Sequence, residues 1–485
     1  MTDQSGSGGN VGRRTVLKGL GASAAAASLA GCSGGNQGGE GTEATGTTMG
    51  DTSQPSLDVW LGYYTEGETK KKYTDELVSQ FESDTGITVN LTGVPYADMV
   101  TKFRAARASG ELPDMVEVMT NPGVITGGAG RPVNELFESM ELADVVTDKV
   151  MGGHEVWGQQ ATGEEGAIVT IPLGIRPYFS VWRTDWLEQA GIDRSEVNYE
   201  AGSLSYQDDL PDIYRRLQDT ELGQQDGFYP DSTGFKRTDE EYMSLYIPQY
   251  GGSKTGVVKE DGSEAAINSP EAIEAIKMQV DFIEQGFFDA NALNIGDEES
   301  TTKHWAGKVA ANHIQDSTDL WGDYLENQEQ AMKDLDYAWG LPYNGGTQAA
   351  LTWLPSLGFI DDQFQSQAKL DAAGEFLDYW VADSDNAVKN AKNLGFVPAN
   401  SEALRNEEFF AQTEMHERFW RGACLKTLEE FETASIPAVP GNTAITYDIP
   451  NKMHQRIMSQ DMPVEEAANK AAEEINDVLE RRRSG

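Results

Sequence analysis

Cysteine is almost missing from this chain of 485 residues: Cys32 and Cys424 are the two. Past Cys32, which precedes the body of the chain, Cys424 is the one cysteine left, so no disulfide can form within that body and its stability must come from packing. Cys424, in Arg421-Gly422-Ala423-Cys424-Leu425, reads as a buried small hydrophobe rather than a nucleophile. Histidine is scarce too. The five, His154, His304, His313, His416 and His454, show no H-x-x-H or H-E-x-x-H spacing, so a preformed zinc site has little support. No phosphate loop of the G-x-x-x-x-G-K-[ST] form occurs, and no cofactor is expected. Basic residues are outnumbered, 37 against 79 acids, for a formal charge of −42. No basic stripe can neutralise phosphates, which excludes nucleic acid as a partner. Such self-repulsion is screened within about 3 Å at molar salt, so a halophilic setting is expected.

Long apolar runs are also lacking. The stretch from Leu20 to Ala30 carries no charge but covers only 11 residues, where a bilayer span needs about 20. Preceded by Arg13, Arg14 and Lys18, it reads as an export signal over residues 1–31. Gly12-Arg13-Arg14-Thr15-Val16-Leu17-Lys18 resembles a twin-arginine signal, with Val16 where that motif more often has an aromatic. Leu29-Ala30-Gly31-Cys32 resembles a lipobox, which implies that Cys32 carries a lipid anchor at the outer face of the cell membrane. Gly31-Cys32-Ser33-Gly34-Gly35 matches a G-x-S-x-G nucleophile elbow in letters only, since no strand precedes it. From Ser33 to Ser56, 15 of 24 residues are Gly, Ser or Thr, so residues 32–56 are expected to be a flexible tether.

The remainder is long enough for two cores, since single cores stop growing near roughly 250–300 residues. Leu57-Asp58-Val59-Trp60-Leu61 is a strand pattern. Tyr73, Leu77 and Phe81 recur with helical spacing and stop near Gly86, and Ile87-Thr88-Val89-Asn90-Leu91 is again strand-like. A second helix carries Met99, Phe103 and Ala106, and a short strand runs from Met115 to Met119. This β-α-β alternation predicts an α/β fold with a parallel, doubly wound sheet. Ser269-Pro270-Glu271 predicts a helix start, with Ile273, Ile276, Val280 and Ile283 as its core stripe and Gly286 as its end. A last amphipathic helix is predicted from Pro463 to Arg481. Asn90-Leu91-Thr92 is an N-glycosylation sequon set in a predicted strand.

Phe81-Glu82-Ser83-Asp84-Thr85-Gly86-Ile87-Thr88-Val89 resembles a stretch near the start of extracellular solute-binding proteins of the maltose-binding-protein type. Four further likenesses follow in that family's order: Leu112-Pro113-Asp114-Met115-Val116; Ile171-Pro172-Leu173-Gly174-Ile175-Arg176 with Tyr178 and Trp182; Trp305-Ala306-Gly307-Lys308-Val309-Ala310; and Pro463-Val464-Glu465-Glu466-Ala467-Ala468. The resemblance implies two α/β lobes joined by crossovers near Ile175, Thr352 and Val397. One lobe would hold residues 57–174 and 353–397, the other 175–352 and 398–485, with a ligand cleft between them that closes by a hinge motion. It also implies a carbohydrate as ligand, ABC permease and ATPase subunits as partners, a monomer, and no catalysis.

Sugars offer ring faces to aromatics and hydroxyls to carboxylates, amides and guanidinium groups. By position in the resemblance, the cleft candidates are Tyr63, Tyr64 and Glu66 after the first strand, Asn121, Arg176, Asp316, Trp353 and Tyr447. Ordinary roles stand beside each: Asn121 as a turn-former before Pro122, Trp353 as hinge core, Arg176 paired with an acid. Gln315, Asp316 and Ser317 stand where that family often has an aromatic, and Trp321 lies four residues beyond Ser317. Alternatives are a glycerol phosphate, favoured if Arg176, Lys236 and Arg237 line the cleft, a polyamine, a sensory binding protein, or a secreted glycan-degrading enzyme with two facing carboxyl groups.

Overall fold

A computed structural model describes residues 55–197, 205–232, 246–316, 335–338, 349–410 and 417–483. The export signal, Cys32, nearly all of the tether, Lys236, Arg237, Ser317 and Trp321 lie outside the described residues, as does the side chain of Asp316. No described helix is long and apolar enough to cross a membrane.

The chain enters through strand β1 (Ser56–Leu61), helix α1 (Glu68–Thr85), strand β2 (Thr88–Gly93), helix α2 (Tyr96–Ser109) and strand β3 (Met115–Glu117). Period-2 alternation sends Leu57, Val59 and Leu61 of β1 into one core and Trp60 into another. α1 buries Tyr73, Leu77 and Phe81 and ends at Gly86, whose left-handed φ of 76° caps the helix. α2 buries Met99, Phe103 and Ala106, each large side chain contributing roughly 1.5–3 kcal/mol, and turns its charged residues outward. Asp114 pins the start of β3 to β1 by accepting the amide of Asp58 at 2.7 Å, while Lys369 neutralises it at 2.6 Å.

Helix α3 (Asp148–Thr162) and strand β4 (Thr170–Pro172) complete this part, and β5 (Arg176–Arg183) begins a second sheet. There follow α4 (Asp209–Gln218), β6 (Tyr229–Asp231), α5 (Pro270–Glu284), β7 (Val309–Asp316), β8 (Leu335–Ala338) and β9 (Ala349–Trp353). The chain then returns to the first sheet through β10 (Ser356–Phe359), with α6 (Gln367–Leu377) and α7 (Ser384–Leu394) behind it. It ends in β11 (Glu432–Ala434), α8 (Ile449–Gln460) and α9 (Val464–Arg483).

The first sheet has the order β2-β1-β3-β10-β4, and the second β11-β9-β5-β7-β6 with β8 paired to β5. The expectation of an all-parallel sheet needs correcting. β1 runs parallel to β2 and β3, but β10 runs antiparallel to both β3 and β4. The cause is connectivity: β10 arrives from the second sheet, so its direction is set by the return crossover and not by a βαβ unit.

Three chain segments pass between the sheets. Residues 173–175 join β4 to β5 and residues 354–355 join β9 to β10. Ile175 and Val397 exchange both backbone hydrogen bonds at 2.9 Å. Gly174 is required there, because a Cβ would lie 2.8 Å from the Val397 carbonyl. Ser269 caps α5 by accepting the Ala272 amide. Its buried face is Ala275, Ile276, Gln279, Phe282 and Ile283, so the predicted stripe is rotated: Ile273 and Val280 are only half-buried. α9 packs on α5 and α8 through Ala468, Ala471, Ile475 and Leu479. Cys424 is fully buried, and burial pushes its thiol well above its usual range.

Candidate functional site

A buried carboxyl lies at the carboxyl ends of β1 and β3, where the sequence places its first cleft candidates. Glu117 closes β3 between Val116 and Val118 and is 1% exposed. Its carboxylate accepts the amides of Gly62 at 2.6 Å and Tyr63 at 3.2 Å, and the Tyr96 hydroxyl at 2.6 Å. Burial raises its pKa to about 7 against those hydrogen bonds, with Glu66 adding repulsion. Thus one acid fastens the loop after β1 to the start of α2. An acid inside the apolar run Met115-Val116-Glu117-Val118-Met119 was the signal available in the sequence, since a buried carboxyl must be held by donors.

Around this anchor stand several of the expected residues. Arg176 is half-buried, reaches the Met119 sulfur at 3.7 Å, and its charge bears on Tyr96. Asn121 donates to the Tyr96 carbonyl at 3.1 Å and to the Thr120 hydroxyl at 3.0 Å, acting as a turn residue before Pro122. Glu66 is exposed and paired with Lys70 at 2.8 Å. Tyr64 is half-buried, bonded to Asp75 and to Lys71, whose ammonium lies 4.7 Å from its ring centre.

Two aromatics are not available to a solute in this arrangement. Tyr63 has no exposed surface, because its ring packs edge-on against Phe396 and Trp380 in the first core. Trp353 is 8% exposed and donates its indole N–H to the Tyr178 hydroxyl at 2.7 Å, which makes it crossover packing. In both cases burying the whole ring outweighs presenting a face to water. The backbone of Asp316 pairs with Tyr178. Tyr447 is half-buried in the turn before α8.

A groove of about 390 Å³ runs along α2 and the turn that follows Pro122. One wall comes from α2 (Val100, Phe103, Arg104, Arg107) and the turn Gly123–Gly127; the other is Pro440–Ala444 with Asp448, which leads into α8. The first wall belongs with the first sheet, and the second with the elements packed on the second sheet. The second wall is held in place by α3: Trp157 donates to the Ile436 carbonyl at 2.8 Å, and the Ala438 amide to Gln160 at 2.6 Å. Gly123 allows close approach, since a Cβ there would sit 2.7 Å from the Asn442 side-chain oxygen. Arg104, Arg107 and Asn442 were not singled out by sequence reasoning, because nothing in an exposed helix face or a Pro-Gly-Asn turn foretells that the two meet. Among the described residues no group of three or more His, Cys, Asp or Glu is placed to hold a metal.

A family model described as bacterial extracellular solute-binding protein matches residues 76–417, more than half of the chain. The chain belongs to that family. Solved structures agree on the fold. A cyclic alpha-maltosyl-1,6-maltose binding protein from Arthrobacter globiformis superposes with a TM-score of 0.67 at 18% identity, covering 88% of this chain and 99% of its own. The sugar-binding protein MalE of Xanthomonas citri gives 0.69 at 14% identity, with 88% and 98% covered. An ABC transporter solute-binding protein from Thermotoga lettingae, bound with alpha-D-tagatose, gives 0.62 at 18% identity, with 88% and 100% covered. No curated protein matches the chain. The two sheets and their crossovers are therefore the two lobes of a periplasmic-binding-protein fold, and this member of the solute-binding family has its groove between them.

Proposed function

We propose that this solute-binding protein captures a small solute, a sugar or related polyol, in the groove between its lobes and delivers it unchanged to an ABC permease with its ATPase. The observation that carries this reading is a groove walled by α2 and the Gly123–Gly127 turn on one side and by Pro440–Asp448 on the other. Closure around solute is the hinge mechanism of two-lobed binders, and here it would work against the α3 contacts that hold the second wall, Trp157 to Ile436 and Gln160 to Ala438. In this reading the lobes are 57–174 with 353–397 and 175–352 with 398–485, and the two walls come one from each. Relatives of this fold whose names specify maltose-type sugars and tagatose support a carbohydrate. The groove lining contains one carboxyl side chain, Asp448, whereas glycoside hydrolysis ordinarily employs two.

The leader supports the location: export by the twin-arginine route, a lipid on Cys32, and a tether that holds a monomer roughly 25–30 Å off the outer membrane face in a saline medium. The test is a thermal-shift and tryptophan-fluorescence screen in molar salt against sugars, polyols, phosphates and polyamines. A bound solute at 100 times its dissociation constant adds about 2.7 kcal/mol. Stabilisation by a sugar that is recovered intact fits the proposal. Stabilisation by non-sugars alone removes the sugar assignment, and consumption of the solute removes the capture role.

A further inference from the structure

We propose that the interlobe groove selects a sugar carrying an anionic oxygen group, a carboxylate or a phosphate, and that Arg104, with Arg107 and Asn442, reads that group. The inference rests on the capture role above and names the class of solute.

Acids outnumber bases by 79 to 37 in this chain, so a groove lined without selection should be acidic. This one has two guanidinium groups and a single carboxyl, Asp448. Elsewhere arginines hold carboxylates: Arg131 with Asp361, Arg183 with Asp185, Arg216 with Glu196, Arg405 with Glu429, Arg456 with Glu474. Arg104 and Arg107 hold none among the described residues. Arg107 is fixed at the groove by donating to the Gly127 carbonyl at 2.9 Å. Arg104 is exposed and makes no hydrogen bond or ion pair to any described residue.

The opposite wall supplies a second, independent sign of a ligand. Asn442 is 4% exposed, lines the groove, and its amide nitrogen has no hydrogen-bond partner among the described residues. A buried donor without a partner is costly, and a solute acceptor reached on closure relieves it. Two guanidinium forks on one wall and an amide on the other line the same groove, and such a donor set is matched to an oxyanion, which accepts several hydrogen bonds at once. A neutral polyol needs acceptors as much as donors. Thr126 and Thr443, also in the lining, can serve the hydroxyls of the sugar ring. In strong salt only such contact-range bonds survive screening, so selectivity rests on these side chains and not on the acidic field of the whole molecule.

The experiment is calorimetric titration of the full chain and its Arg104→Gln and Asn442→Asp variants with glucose, galactose and maltose, with glucuronate and galacturonate, and with glucose 6-phosphate. The expected result is tighter binding of an acidic sugar than of its neutral counterpart. Arg104→Gln should weaken that binding roughly 10- to 100-fold, as loss of a charge-assisted hydrogen bond implies, and erase the preference. Its melting temperature without solute should be unchanged, because Arg104 is exposed and makes no hydrogen bond or ion pair to a described residue. Asn442→Asp should weaken acidic sugars selectively. Whether uronates or the phosphate bind tells the carboxylate from the phosphate. Binding of a neutral sugar that is indifferent to Arg104→Gln would overturn this inference and leave sugar capture standing. Absence of binding by every sugar, neutral or charged, would overturn both.

Discussion

Two grooves cut into this chain differ in what surrounds them. One, of about 530 Å³, lies within the first lobe between α1, α6 and the segment 136–141, and is lined by Glu141, Asp371, Glu375, Asp378 and Asp383 without a Lys or Arg. The other, of about 390 Å³, lies between the lobes and is lined by Arg104, Arg107 and the lone acid Asp448. The acids of the first have local work: Asp378 accepts the amides of Glu141 and Leu142 at 3.0 Å each, and Asp383 caps α7 through the Asn386 amide at 2.9 Å. In a chain with this charge an acidic lining is what solvated surface looks like. The interlobe groove departs from that background, and the departure is what makes it informative.

The largest effect should come from wedging the second groove. Gly123→Leu puts a side chain into the Asn442 oxygen and, at 3.2 Å from its Cβ, the Val439 carbonyl. Backbone cannot yield as a side chain can, so affinity for the stabilising solute should fall by about 100-fold or more in titration. The matched change in the acidic groove, Gly374→Ala, meets only the end of Leu136 at 2.8 Å and should leave affinity within about two-fold.

Next is Glu117, which fastens the loop after β1 to the start of α2. Its folded pKa of about 7 lies above the ordinary 4.5, so the folded chain binds the extra proton between those values. Stability is then highest below pH 4.5 for this group and falls as pH rises to 7, by roughly 3 kcal/mol at about 1.4 kcal/mol per pH unit. Glu117→Gln should abolish that fall in urea titrations at pH 5 and pH 8. His154 works in the opposite sense: burial lowers it to about 3 from 6.5, so its contribution is lost as pH falls below 6.5. Comparing Glu117→Gln with the parent at each pH cancels this second effect.

Smaller changes sharpen the contrast. Lys102→Ala removes an ammonium 4.5 Å from the Trp60 ring centre, and should cost about 0.5–1 kcal/mol in chemical denaturation and alter tryptophan emission. Asp371→Asn with Glu375→Gln, in the acidic groove, should change stability by less than about 0.5 kcal/mol and leave solute affinity alone.

Local order was legible wherever one element decides it. The alternation of Leu57, Val59 and Leu61, the stop at Gly86, the cap at Ser269 and the final helix all express periodicity or backbone preference within a few residues. The reversed direction of β10 was not, because it depends on a crossover made some 180 residues after the first. Among site candidates, Arg176, Asn121 and Glu66 do gather near the anchor Glu117. Tyr63 and Trp353 were drawn into cores whose partners, Phe396 and Tyr178, are distant in the chain. The basic lining was invisible for the same reason, since α2 and Asn442 are more than 300 residues apart.

The central claim, that solute lodges between the lobes at the basic groove, is tested most directly by amide hydrogen exchange of the full chain with and without its stabilising solute. The account predicts added protection in 100–107, 121–127 and 438–448, with segments 136–141 and 371–383 unchanged. Protection confined to the acidic groove, or spread evenly over both lobes with no excess at these segments, would contradict it.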